Sequence, residues 1–213
     1  MLVLKRKAVF DMPDLSIELQ KHSEGYKYVC GIDEAGRGPL CGPVVAAACI
    51  LPDDIDIPKL NDSKKLSPKV RMELFELIKE KAIAYSIGYG TVEEIDEINI
   101  LEATLLAMRR AVAGLDISPD YLLVDGNIFR GFDKPGEAVI KGDAKSSSIA
   151  VASILAKVTR DILCDELDAL YPGYGIKQHK GYGTKVHIEA LKNLGPTPCH
   201  RKQFIRFLDK KTI

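Results

Sequence analysis

The sequence predicts a mixed α/β fold with a helical C-terminal extension, and three observations carry that prediction. Short apolar runs of strand character alternate with longer runs of helical period. One of them, Pro43 to Leu51, is apolar almost throughout and suits a strand covered on both faces. After Tyr171-Pro172-Gly173 the strand signals stop and helical ones continue.

The elements follow in order. Residues 1–24 form a mixed arm with room for a short helix. Tyr28 to Glu34 reads as a strand running into the turn Ala35-Gly36-Arg37-Gly38-Pro39, and Pro43 to Leu51 as the next strand. Ser67-Pro68 is an N-cap with proline at the first helical position, and Val70, Leu74, Leu77 and Ile78 supply one apolar face. Ile83, Tyr85, Ile87 and Tyr89 alternate as a strand does. Thr91 to Glu94 is a capping box, and Asn99 to Glu102 is a second start for the helix that Gly114 stops. Tyr121–Val124 and Ala138–Ile140 are short strands, and Ser148 to Leu170 is a long helix. Helices over Thr184 to Leu194 and around Arg201 to Leu208 complete the extension. Neither a repeat nor a linker divides the chain, so 1–213 reads as one domain: a core over about 25–170 and a basic extension over about 171–213.

Composition narrows the class. The 213 residues are 46% hydrophobic and 28% charged, which excludes a disordered or collagen-like chain. No apolar run approaches the ~20 residues of a membrane helix, and the N-terminus lacks the order of a secretory signal. The expected location is cytoplasmic, without membrane association. Five cysteines with no C-x-x-C pair fit reduced thiols better than a disulfide framework or a zinc site. Net charge is zero, yet residues 171–213 hold nine Lys/Arg against two acidic residues, a surplus of seven. His179, His187, His200, Tyr171, Tyr174 and Tyr182 lie in the same stretch, a mixture suited to phosphates and sugars.

Three apolar strands end in acid: Asp33-Glu34, Asp125 and Asp143. Functional side chains collect at strand ends, where backbone pairing stops. Carboxylates brought together repel unless a cation compensates them, and hard Mg²⁺ or Mn²⁺ ions match an all-oxygen set. Because strand side chains alternate, Asp33 and Glu34 reach one site only if the strand has ended or bulged at Glu34. Gly36-Arg37-Gly38 lacks the Lys-Ser/Thr of a P-loop but still offers backbone N–H groups to an anion.

Seven motifs then resemble bacterial ribonuclease HII, in the family's order and spacing. They are Gly31–Leu40 (GIDEAGRGPL), Asp62–Ser67 (DSKKLS), Val124–Gly126, Lys141–Asp143, Ala152–Val158 (ASILAKV), Arg160-Asp161 and His179–Tyr182 (HKGY). The resemblance spans about Tyr28 to Phe204. Cys41, Cys49, Val151 and Ile176 depart from residues usual in the family, and none is a carboxylate.

The resemblance implies an RNase H-like fold, a five-stranded mixed β-sheet flanked by helices. It implies that Asp33, Glu34, Asp125 and Asp143 are the catalytic, metal-binding carboxylates for two divalent ions, Mn²⁺ or Mg²⁺. Gly36, Arg37, Gly38, Lys64 and Tyr182 become substrate-binding residues, with Tyr182 stacking on the deoxyribose 3′ of a ribonucleotide. The implied activity is an endoribonuclease acting on RNA–DNA hybrids and ribonucleotide-containing duplex DNA, as a monomer. It would cut 5′ of single ribonucleotides and leave a 3′-hydroxyl and a 5′-phosphate. Another RNase H-fold nuclease acting on DNA, or a non-catalytic hybrid-binding module, are the alternatives. Four carboxylates facing phosphates weigh against a mere binder. Gln203, Phe207 and Leu208 are spaced as in a sliding-clamp peptide, but a terminal amphipathic helix accounts for them better.

Overall fold

A computed structural model describes residues 12–58, 60, 63 and 66–208. Strands β1 (Val29–Ala35), β2 (Val44–Ile50), β3 (Ala84–Gly90), β4 (Tyr121–Asp125) and β5 (Gly136–Val139) form one mixed sheet, ordered β3-β2-β1-β4-β5. The first three are antiparallel neighbours, whereas β4 and β5 are added in parallel. β2 is buried from end to end, as its unbroken apolar run requires.

Two long helices cover the two faces. Helix α3 (Val92–Ala113) packs with Ala46, Ala48, Ile32 and Val124, and α4 (Ser147–Leu170) with Ala47 and Cys49. Small strand residues let both come close. A Cβ at Gly31 would stand 2.2 Å from the Ser148 carbonyl carbon, and one at Gly88 2.0 Å from the Ala107 oxygen. These positions tolerate only glycine if the helices keep their seats. Helix α2 (Pro68–Lys81) packs beside α4 and is capped by Ser67, whose hydroxyl accepts from the Val70 N–H.

Capping chemistry read from sequence is present in detail. Thr91 and Glu94 form the reciprocal capping box of α3. Within α3, Asn99 takes φ 69°, and its side-chain oxygen accepts from the Leu101 and Glu102 N–H groups. The second start at Asn99 is thus a kink, where one helix ends and the next is capped. The arm forms α1 (Ser16–Ser23), whose Glu18 is buried against the start of α4.

The extension holds α5 (Ile176–His179), which the sequence reading lacked, and α6 (Lys185–Leu194), capped by Thr184. The helix expected around Arg201–Leu208 does not form. Two 3₁₀ turns stand there, because Asp96 of α3 accepts from the Lys202 and Gln203 N–H groups. A third apolar cluster, including Tyr174, Ile176 and Leu191, joins the extension to Cys41 and Cys164.

Candidate active site

Beyond Ile32, β1 has lost β4 but keeps β2: its pairing with β4 stops at Ile32↔Val124, whereas Asp33, Glu34 and Ala35 still pair with Ala47, Ala46 and Val45. The strand has therefore neither ended nor bulged at Glu34, contrary to the condition derived from sequence. Asp33, opposite Ala47, lies on the α4 face, and Glu34, opposite Ala46, on the α3 face. Both still line one cleft of about 300 Å³, because the missing β4 partner leaves the edge open between them. Asp125, the last residue of β4, lines the same cleft.

Asp33 is 5% exposed, and its Oδ1 accepts from the Glu34 N–H at 2.7 Å. Burial pushes its carboxyl well above the usual carboxylate range. The charges of Glu34 and Asp125 push it further, against hydrogen bonds from Ser153 and the Glu34 backbone. Asp125 Oδ1 accepts from the Gly142 N–H at 2.7 Å. Glu34 faces Arg37 at 3.4 Å.

Asp143 departs from the sequence expectation. Strand β5 ends at Val139, Lys141 turns into the left-handed region at φ 56°, and Asp143 falls in a buried 3₁₀ turn, Gly142–Ala144. It is next in sequence to the glycine whose N–H binds Asp125.

Gly36, Arg37 and Gly38, which continue from β1, also line the cleft, with Gly36 at φ +99°. Tyr182, 49% exposed, closes one end, and a Cβ at Gly38 would come within 3.3 Å of its ring. Lys64 lies outside the described residues, as does most of the segment Asn61–Lys65.

Four polar residues of the cleft carry no site assignment from the sequence: Ser63, Ser153, Lys157 and Arg160. All four lie within motifs of the family resemblance. Ser153, Lys157 and Arg160, at i, i+4 and i+7, put three polar side chains on one stripe of α4, a signal that could have placed them. Ser153 hydrogen-bonds Ser63 at 2.9 Å. Arg160 donates to the Lys180 and Cys41 carbonyls, and its Nε is buried with no hydrogen-bond partner among the described residues. A Cβ at Gly36 would sit 2.1 Å from that Nε.

The histidines of the extension form a hydrogen-bonded network beside the cleft. The Thr197 N–H donates to His200 Nδ1, which leaves His200 Nε2–H to donate to His187 Nε2 at 3.1 Å. His187 Nδ1–H in turn donates to the Tyr182 carbonyl. Cys41, His187 and His200 have ligand atoms within 4.8 Å of one another, but both imidazoles are already committed to these bonds. The two imidazoles read as a support for Tyr182 rather than as metal ligands.

The donor set of the cleft suits a hard divalent cation. It offers carboxylate oxygens, with the Asp33 carboxyl pushed above its normal pKa first by burial and then by its neighbours' charge, and no soft ligand.

Comparison with known proteins bears on the family and the fold. The family model described as Ribonuclease HII matches residues 30–207. A Ribonuclease HII of Clostridioides difficile (strain 630) is 55% identical over 189 residues, covering 89% of this chain and 74% of that protein. The crystal structure of ribonuclease H2 from Pyrococcus horikoshii OT3 superposes with TM-score 0.70 at 28% identity, over 87% of this chain and 100% of that one. The Bst RNase HIII structure in complex with Mn²⁺ matches at TM-score 0.61 and 16% identity, over 86% and 71%, a likeness of fold alone. With its five-stranded mixed sheet and its carboxylate cleft, the chain belongs to the ribonuclease HII family and is a ribonuclease H hydrolase.

Proposed function

We propose that this chain hydrolyses the RNA strand of RNA–DNA hybrids and cuts 5′ of single ribonucleotides in duplex DNA, leaving a 3′-hydroxyl and a 5′-phosphate. One observation carries the reading: a buried carboxylate crowded by two others shares its cleft with a glycine-flanked loop and an exposed tyrosine. Asp33, Glu34 and Asp125, with Asp143 from the adjoining turn, would hold two divalent ions, Mg²⁺ or Mn²⁺. Bound there, such ions supply Lewis-acid stabilisation of phosphoryl charge and activation of water.

The chain's own residues do the rest. Glycines at 36 and 38 let the backbone approach a sugar, where a Cβ would meet Arg160 or Tyr182. The 2′-hydroxyl is what distinguishes RNA from DNA at the cut, and backbone N–H and C=O groups can read it. Tyr182 offers an apolar ring to the next sugar, held from behind through its carbonyl by His187. The Gly142 N–H, donating to Asp125 Oδ1, fixes the orientation of that carboxylate in the cleft. The chain acts as a monomer in this reading, since every residue invoked comes from one copy.

The test is a labelled DNA duplex with one ribonucleotide, incubated with Mg²⁺, Mn²⁺ or EDTA beside an all-DNA duplex. A metal-dependent cut 5′ of the ribonucleotide, with the control intact, is expected. Cutting of both duplexes would refute the 2′-hydroxyl reading, and cutting of neither would refute the reaction. Tyr182→Ala should harm cleavage at single ribonucleotides more than cleavage of long hybrids, and equal losses would remove its junction role.

A further inference from the structure

Arg201 has no exposed surface, and among the described residues it makes no ion pair with a carboxylate. Burying a guanidinium without a counter-ion is costly unless its donors are all met. Here one loop meets four of the five N–H donors. Nε donates to the Gly42 carbonyl at 2.9 Å, Nη1 to those of Arg37 and Pro39 at 3.1 and 2.8 Å, and Nη2 to that of Gly36 at 2.6 Å. Positive φ at Gly36 and Gly42 lets the chain curl so that four carbonyls converge on one cation. Burial brings the guanidinium pKa down to about 10, helped by the nearby Arg160, so it stays charged at neutral pH. The backbone around it is stitched to the same loop: Arg201 N–H donates to the Leu40 carbonyl, and Gly42 N–H to that of Cys199.

The peptide plane gives this grip a consequence. In a trans peptide the C=O and the following N–H point in opposite directions. Turning the Gly36 and Arg37 carbonyls toward Arg201 therefore turns the Arg37 and Gly38 N–H groups away from it. Arg37 and Gly38 line the cleft, and Arg201 does not. We infer that Arg201 is a positioning residue: by gripping the carbonyls of residues 36–42 it aims the Arg37 and Gly38 amides at the ribonucleotide. This rests on the reading of the Gly36–Gly38 loop given above.

Arg201→Lys keeps the charge but loses the fork, and Arg201→Gln keeps donors without the charge. Each folded variant, judged by circular dichroism, should bind Mn²⁺ in calorimetric titration within about twofold of wild type, because no carboxylate is touched. Each should raise KM for the single-ribonucleotide duplex and lower kcat/KM by about tenfold or more, as small misplacements do. Amide exchange at Leu40 and Gly42 should accelerate while β2 is unchanged. Activity loss matching only the loss of folded protein, with KM and exchange at wild-type values, would overturn the inference. If neither variant folds, wild-type exchange decides: protection of Leu40 and Gly42 like that of β1 supports the clamp, and loop-like exchange refutes it. A wild-type chain that leaves the ribonucleotide duplex uncut refutes the reaction, and the exchange arm still reports separately on the clamp.

Discussion

Asp33 illustrates how a single residue acquires its properties from three sources. Its place in β1 buries it, its neighbours Glu34 and Asp125 load it with like charge, and Ser153 with the Glu34 N–H offsets part of both. A cation is the natural relief for such a group. Asp33→Asn or Asp125→Asn should abolish ribonucleotide-directed cleavage while duplex binding, measured by fluorescence anisotropy in EDTA, stays near wild type; wild-type turnover would remove the metal assignment. His187 makes a second residue-scale prediction. Burial lowers its pKa, and the Tyr182 carbonyl bond opposes that only in part; His179 stacks on it, His200 donates to it, and Cys199 lies near. The unfolded chain takes up a proton near pH 6.5 that the folded site resists, so this contribution to stability is present above pH 6.5. It is lost as pH falls through the lower folded value. Melting should therefore fall more steeply between about pH 7 and pH 5.5 in the wild type than in His187→Gln. Parallel curves would show that the imidazole is not the titrating group.

At the scale of elements, capping decides where helices start and which other elements they hold. The first turn of α4 is satisfied by Ser146 and by Glu18, whose Oε1 accepts from the Ser148 N–H and from the Ser146 and Ser148 hydroxyls at 2.6–2.9 Å. A buried carboxylate at a helix N-terminus also meets the favourable end of the helix dipole. Helix α1 is thereby locked onto the helix that carries Ser153, Lys157 and Arg160 to the cleft. Glu18→Ala strips these donors of their acceptor and should cost about 2 kcal/mol, or roughly 4–8 °C in Tm for a chain of this size. Calorimetry checks it, and an unchanged Tm would mean that water replaces the carboxylate. The helix starts at Ser67, Thr91 and Asn99 were legible in sequence, because a cap acts over three or four residues. The 3₁₀ turns after Arg201 were not. Their backbone donors are taken by Asp96 on a distant helix, which no local pattern announces.

For the whole molecule, the basic surplus of residues 171–213 divides once the chain is folded. Arg201 is buried in the loop clamp, and Lys177 and Lys180 face Asp165. Lys185, Lys192, Lys202 and Arg206 remain exposed among the described residues. If about four phosphates are held, affinity for a duplex should fall about 10²-fold between ~50 and ~200 mM salt; a flat dependence would remove the extension from the interface. Among the described residues no helix is long and apolar enough to cross a membrane. The sequence alone determined the α/β class, the order of the five strands, the capped starts of the long helices and the identity of the crowded acids. Each of these is written in local spacing or in contiguous motifs. Only the tertiary structure decided that β1 outruns β4 to open an edge between Asp33 and Glu34, and that Asp143 sits in a turn beside the cleft. It also decided that Arg201, far along the chain, holds the loop at Gly36–Gly38. Such outcomes depend on where strands stop pairing and on which distant backbone groups need a partner, and those needs arise only when the chain is closed on itself.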